Sequence, residues 1–165
     1  METAGHHVLI SVGTNYRRVQ NIRDGLSMLR AEFGVIEVSA WYVSAAVGLD
    51  AAPFWNGMVA LRTNLNRDAL KRRLQVVEDR TGRVRRGEQG KRFKAVSLDL
   101  DIAAFNGEVT ESKLFTLPYL VVPLADLAPL WVDPHSGHTA RYLAWRCSEQ
   151  VIRIPDPALA FEHLA

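Results

Sequence analysis

The chain has little of several residue types that would commit it to a particular class of protein. Its 165 residues include a single cysteine, Cys147, which excludes an intramolecular disulfide and a zinc site built mainly on thiolates. No window approaches 18 consecutive apolar residues, which excludes a membrane-spanning helix. Residues 1–7 lack a basic segment followed by an apolar one, so we expect no signal peptide and a cytoplasmic location.

The residues that are present are typical of one globular domain. Apolar residues make up 48% and charged residues 23%, and the net charge is only +2, so a sizeable core can form and disorder is not expected. The length predicts one domain that spans residues 1–165. We expect packing roles for Trp41, Trp131 and Trp145.

Positive charge is concentrated in one segment. Residues 67–94 contain eleven Lys or Arg and four Asp or Glu, a balance of +7, which leaves −5 for the rest of the chain. Such a block favours an anionic partner, either nucleotide phosphates or nucleic acid. A solvated helix face followed by an exposed loop is the alternative interpretation.

Hydrophobic periodicity predicts the order β-α-β-β-α-β. This order is typical of an α+β ferredoxin-like plait, an antiparallel sheet with helices on one face, here followed by C-terminal additions. Many functions occur on this fold, so the fold alone leaves the function open. The predicted strands are 7–12, 35–43, 55–63, 96–103 and a later one near 120–124, and the predicted helices are 19–33 and 66–82.

The strongest chemical signal is the pair Asp99 and Asp101. The alternation of a strand places both on one face, roughly 6–7 Å apart, where their like charges repel. Mg²⁺ relieves this repulsion, because it takes one or two carboxylates and completes its shell with water and substrate phosphates. The sequence therefore predicts a magnesium site at these aspartates; two ordinary solvent-facing acids are the alternative.

Two arginines lie just before this strand. Arg83 and Arg85 point the same way in an extended chain, and guanidinium groups bind phosphate oxygens through planar, paired contacts. Together with the aspartates they predict a site for a polyphosphate. Basic residues in a solvated loop are the alternative.

A third group of residues suits a flat heterocycle. The carboxamide of Asn56 offers both a donor and an acceptor, and Phe54 beside it can stack on a ring. Gly13 ends the first strand, and Gly48 lies in a loop of small residues. Turn glycines and core aromatics are the alternative interpretation.

Taken together, these motifs resemble the 6-hydroxymethyl-7,8-dihydropterin pyrophosphokinase family. The resemblance covers about residues 8–134. It depends on the order and spacing of a helix, two arginines and an Asp-x-Asp strand more than on any single motif. The matching stretches are Gly13-Thr14-Asn15, Ser39 to Gly48, Phe54-Trp55-Asn56, Leu74 to Glu78, Gly82 to Arg85, Leu98 to Asp101 and Val121 to Pro129.

The resemblance implies transfer of a diphosphate from ATP to the hydroxymethyl group of the pterin, with AMP as the other product. It also implies two Mg²⁺ ions and a monomer whose partners are pterin and ATP, with neither membrane nor nucleic acid. The implied residues are Arg83, Arg85 and Arg92 for catalysis, Glu78, Arg83 and Lys94 for the nucleotide, Ser44, Gly48, Phe54, Asn56 and Tyr119 for the pterin, and Asp99 and Asp101 for the metal.

The chain departs from the family pattern at two places. Val96 stands where the family has an arginine, three residues before the first aspartate. Leu117-Pro118-Tyr119-Leu120 continues directly into Val121, without the family's loop that carries a histidine and an arginine for ATP. These departures predict a weak or altered enzyme. A pterin-binding paralogue without normal transfer, or a ferredoxin-like RNA-binding module, are the alternatives.

Overall fold

The computed structural model describes residues 5–44, 52–83 and 95–157. These residues form seven strands and four α-helices, and a short 3-10 turn follows the last helix. The strands are β1 (His6–Thr14), β2 (Glu37–Val38), β3 (Trp41–Ser44), β4 (Phe54–Thr63), β5 (Asp99–Phe105), β6 (Glu108–Val109) and β7 (Ile152–Ile154). The helices are α1 (Arg18–Phe33), α2 (Arg67–Arg80), α3 (Pro118–Leu127) and α4 (Ala140–Cys147). In the described parts of the chain, no helix is both long and apolar enough to cross a bilayer.

All pairings within the sheet are antiparallel. The strand order is β6-β5-β1-β4-β3-β7, and β2 also pairs with β4. The inner order β5-β1-β4-β3, with α1 and α2 as the connecting helices, confirms the predicted ferredoxin-like plait. The C-terminal additions extend it, because β7 pairs with β3.

Helices cover both faces of this sheet, and the expectation of one covered face was wrong. Because side chains alternate along a strand, Val8, Ile10 and Val12 of β1 pack with α1 and α2. Leu9 points to the opposite face and packs with residues of α3 and α4. The two helices that follow the plait therefore build a second core on the face that a plain ferredoxin-like fold leaves open.

The first two helices form as their periodicity predicts. Ile22, Leu26 and Leu29 of α1 are buried at helical spacing. Helix α2 begins after Asn66, whose Oδ1 accepts a hydrogen bond from the amide of Ala69 at 2.9 Å. Gly25 lets α1 approach the sheet closely, since a Cβ there would lie 2.6 Å from a methyl carbon of Leu98.

The apolar run at residues 120–124 is helical, and its prediction as a strand was wrong. Pro118 occupies the first turn of α3, where a missing amide hydrogen costs nothing. All five residues of the run are buried. A helical segment that is apolar on all sides suits a position between a sheet and another helix, and periodicity alone does not distinguish it from a buried strand.

The predicted strand at residues 35–43 is divided into β2 and β3. Ser39 lies at the break, where its hydroxyl accepts a hydrogen bond from the amide of Met58 at 2.8 Å. A side chain thus replaces the backbone carbonyl that would continue the ladder.

The packing prediction for Trp145 was also wrong. This residue is 72% exposed, because α4 turns Ala140 and Ala144 toward the core.

Candidate functional site

One row of residues crosses three adjacent strands at the Thr14 end of β1. Asn56 of β4 pairs with Gly13 of β1, and Gly13 pairs with Asp99 of β5. Directly opposed residues of antiparallel strands present their side chains to the same face. We call Asn56, Gly13 and Asp99 the cross-strand row. It brings the residue predicted to bind the heterocycle beside one predicted to bind metal.

Gly13 keeps the middle of the cross-strand row open. A Cβ built on this residue would lie 3.6 Å from Oδ1 of Asn56 and 3.6 Å from Cδ1 of Phe54. The carboxamide oxygen and the aromatic ring therefore both border the space above Gly13. Any side chain at this position would project into the gap between Asn56 and Asp99.

The carboxamide of Asn56 is held in one orientation by its neighbours. Its Nδ2 donates to Oγ of Ser44 at 2.7 Å and makes longer contacts, each of 3.4 Å, with the carbonyls of Tyr42 and Phe54. Asn56 is 6% exposed. With the nitrogen engaged, Oδ1 stands as an acceptor beside Gly13, and the structure thus brings together Ser44, Phe54 and Asn56.

Arg83 reaches β5 from the end of α2. Its Nη1 donates to the carbonyl of Leu98 at 2.9 Å and lies 3.1 Å from Oδ1 of Asp99. The guanidinium is mostly covered, whereas the Asp99 carboxylate is 41% exposed. A predicted phosphate-binding arginine and a predicted metal ligand are therefore already in contact.

Asp101 differs from Asp99 in its electrostatic surroundings. Partial burial and the negative charges of Asp99, Glu78 and Glu111 together raise the pKa of its carboxyl to about 6, against an opposing effect of Arg83. Among the described residues, the site thus holds more negative charge than Arg83 compensates. A cation bound here would relieve that imbalance.

The donor set at this place fits Mg²⁺. Within residues 5–44, 52–83 and 95–157, no three His, Cys, Asp or Glu side chains are grouped to hold a metal. A cation at Asp99 and Asp101 would therefore draw its remaining ligands from water and phosphate oxygens. Mg²⁺ is bound in this way in many enzymes that act on nucleotides.

Tyr119 is carried to the same place by the first turn of α3. Burial raises the pKa of its phenol, and so do the charges of Glu111, Asp101 and Asp99. The aromatic residue predicted to border the pterin therefore lies within electrostatic reach of the carboxylates. Its stacking on a ligand remains a prediction.

Glu78 lies against the edge of β5 that faces away from β1, instead of in the open part of the site. It is 3% exposed, and its Oε1 accepts a hydrogen bond from the amide of Leu100 at 2.8 Å. Its predicted contact with the nucleotide stays a prediction. The other predicted site residues, Gly48, Arg85, Arg92 and Lys94, lie outside the described residues.

Sequence reasoning missed Tyr42 and Asp126. Tyr42 pairs with Asn56 and so continues the cross-strand row onto β3. Its hydroxyl donates a hydrogen bond to Oδ2 of Asp126 at 2.7 Å, and this bond connects α3 to β3. Tyr42 lies two residues before Ser44 and therefore on the same face of the predicted strand, which was a usable signal for Tyr42. The sequence carries no such signal for Asp126, which lies far along the chain.

Comparison with known proteins gives a consistent result. Residues 9–129 match the 7,8-dihydro-6-hydroxymethylpterin-pyrophosphokinase (HPPK) family. A 2-amino-4-hydroxy-6-hydroxymethyldihydropteridine pyrophosphokinase of Synechocystis sp. is 34% identical over 146 residues, which cover 81% of this chain and 72% of that protein. The enzyme of the same name from Pseudomonas aeruginosa is 32% identical over 161 residues, covering 90% of this chain and 96% of that protein.

Solved structures share the fold. The wild-type HPPK-DHPS of Plasmodium falciparum superposes with a TM-score of 0.68 at 12% identity, over 90% of this chain. This chain spans 43% of that longer chain. The family match, the two curated relatives and the residues of the cross-strand row agree: the chain belongs to the 7,8-dihydro-6-hydroxymethylpterin-pyrophosphokinase family.

Proposed function

We propose that this chain transfers the terminal diphosphate of ATP to the hydroxymethyl group of 6-hydroxymethyl-7,8-dihydropterin, a step of folate biosynthesis. Membership of the family supports this activity. The observation that carries the proposal is the cross-strand row, which sets a carboxamide beside an ion-paired aspartate with only Gly13 between them. A heterocycle at one end of the row would have its reactive substituent next to the phosphate site.

The pterin would occupy the space above Gly13. Oδ1 of Asn56 would accept a hydrogen bond from an N–H of the pyrimidine edge, and the Ser44 hydroxyl keeps the carboxamide turned for this contact. Phe54 and Tyr119 would border the ring. Gly48, outside the described residues, is proposed on the resemblance to contribute its backbone.

The phosphates would lie at the aspartate end. Asp99 and Asp101 would hold Mg²⁺, which when bound neutralises phosphate charge and orients the triphosphate. We propose two ions, as the resemblance implies. Arg83 is placed to bind phosphate oxygens from the α2 side, and Arg85, Arg92 and Lys94 are proposed to add positive charge on the same side of the nucleotide.

The reaction requires positioning more than acid–base catalysis. The pterin hydroxyl oxygen attacks the β-phosphorus, an O–P bond forms, and the bond from the β-phosphorus to the oxygen bridging to the α-phosphorus breaks. AMP leaves with that oxygen, and the hydroxyl proton passes to water or to an aspartate. The residues contribute by holding both substrates in line and by stabilising the charge that develops.

A pterin-binding paralogue with altered transfer is the second candidate. It is favoured by the short connection from β6 to α3, in which residues 110–117 lead directly to Pro118. The acidic face of β5 and the family match favour both pterin functions over the RNA-binding module. We also propose that residues 1–165 form one domain that acts as a cytoplasmic monomer.

One assay separates these possibilities. The protein is incubated with ATP, Mg²⁺ and 6-hydroxymethyl-7,8-dihydropterin, and the nucleotide product is identified by chromatography. AMP supports diphosphate transfer, and ADP would show an ordinary kinase. With neither product, pterin binding by calorimetry distinguishes the paralogue from a protein to which the family function does not apply.

A further inference from the structure

Among the residues that the structure describes, the edge of β5 that faces away from β1 has few partners where the two aspartates lie. β5 pairs with β1 from Asp99 onward, but on its other side β6 reaches only Ala104 and Phe105. In a strand the backbone groups of alternate residues point to the same edge. The carbonyl of Leu98 and the amide of Leu100 therefore both face outward and flank Asp99.

Two side chains at the end of α2 satisfy these outward groups. The carboxylate of Glu78 accepts from the amide of Leu100 at 2.8 Å, and the guanidinium of Arg83 donates to the carbonyl of Leu98 at 2.9 Å. One acceptor and one donor thus occupy the place of a neighbouring strand. Together they fix the backbone on both sides of Asp99.

The last turn of α2 makes this arrangement rigid. The carbonyl of Glu78 accepts hydrogen bonds from the hydroxyl of Thr81 at 2.8 Å and from the amide of Arg83 at 3.1 Å. Glu78 and Arg83 are therefore held relative to each other by the helix end. A displacement of either one would displace the strand that carries both aspartates.

We infer that Glu78 is a positioning residue for the aspartate pair, acting through the backbone of Leu100 instead of by contact with the nucleotide. This inference deepens the proposed function and rests on it. The side chain of Glu78 is nearly inaccessible to solvent, so a direct contact with the nucleotide would need the end of α2 to move. A carboxamide of the same length could accept the same hydrogen bond, whereas a shorter carboxylate could not reach it.

Two variants separate position from charge. Glu78→Gln keeps the acceptor at the same distance and removes the charge, and Glu78→Asp keeps the charge and withdraws the acceptor. Asn66→Ala is the matched control, because it weakens the other end of the same helix by removing its cap, far from β5. The probe is the α,β-methylene analogue of ATP, whose bridge is not cleaved, titrated with and without Mg²⁺.

We expect Glu78→Asp to lower the Mg²⁺-dependent affinity for this analogue on the order of 10- to 100-fold, as when a group that orients a metal ligand is lost. Glu78→Gln and Asn66→Ala should stay within about threefold of the affinity of the unmodified protein. The reverse order, with Gln weakened and Asp unaffected, would show that charge matters and position does not. Equal affinities in all three variants would show that Glu78 only stabilises the fold.

Amide hydrogen exchange makes the test independent of nucleotide binding. The Leu100 amide should be protected in the unmodified protein and in Glu78→Gln, and should exchange at least about tenfold faster in Glu78→Asp. If the unmodified protein does not bind the analogue with Mg²⁺, the proposed function fails, and the exchange pattern still decides the placement of β5. Uniform exchange at Leu100 in all variants would overturn the inference.

Discussion

Replacing Asp101 with asparagine should stabilise the free protein while abolishing its activity. Burial and three neighbouring carboxylates raise the pKa of Asp101 from 3.8 to about 6, so its charge opposes folding at neutral pH. A pKa difference of this size corresponds to about 3 kcal/mol in the free energy of unfolding. Because part of the Asp101 side chain remains accessible to solvent, screening reduces the expected gain to about 1 kcal/mol.

The gain should be measured as a rise of about 2–4 °C in the melting temperature at pH 7 without Mg²⁺. The folded state binds the Asp101 proton more tightly than the unfolded state does. Stability therefore falls as the pH rises from about 4 to about 6, and Asp101→Asn removes that fall. Saturating Mg²⁺ should stabilise the unmodified protein at pH 7 and have little effect at pH 4.

Asp99→Asn is the matched control, because Asp99 has a cationic partner. Its Oδ1 lies 3.1 Å from Nη1 of Arg83, so the loss of its charge should destabilise the protein or leave it unchanged. Equal stabilisation by both substitutions would refute the assignment of unrelieved charge to Asp101. So would a lower melting temperature for Asp101→Asn at pH 7.

Three further predictions concern the substrates. Asn56→Ala removes the acceptor beside Gly13 and should weaken pterin binding about 5- to 150-fold by calorimetry, with ATP affinity nearly unchanged; a pterin affinity equal to that of the unmodified protein would contradict the assignment. Gly13→Ala should fold normally, because its new methyl group meets Asn56 and Phe54 at ordinary contact distance, yet it should lower pterin affinity at least about tenfold. The double variant Arg92→Ala, Lys94→Ala should raise the Michaelis constant for ATP and lower turnover without affecting pterin binding; unchanged kinetics would show that this segment does not bind the nucleotide.

Much of the plait could be predicted because its signals are local. The buried positions of α1 and the cap at Asn66 follow from residues three or four apart. The apolar run in α3 was predicted as the wrong element because five consecutive buried residues show no polar face that would reveal a helical period. Because this segment was predicted as a strand, the second covered face of the sheet was not predicted.

The residues of the candidate site could be proposed from the sequence, but their arrangement could not. Motif order indicated Asn56 and Asp99, and alternation placed each on one face of its own strand. Their proximity depends on the registers of β4 and β5 against β1, which no local pattern specifies. The hydrogen bond of Glu78, on which its inferred positioning role rests, could not be predicted for the same reason, since its partner is a backbone amide on another element.

The central place of β1 in the sheet has a consequence for how the protein acquires its site. β1 comes from the beginning of the chain, yet both of its neighbours, β4 and β5, come from much later segments. Such nonlocal pairings must overcome the entropy of closing long loops before they gain contacts, which slows folding. During synthesis, the residues on which catalysis is proposed to depend can therefore meet only after β5 has left the ribosome. A truncated chain that ends before β5 would lack Asp99 and Asp101, the proposed metal ligands.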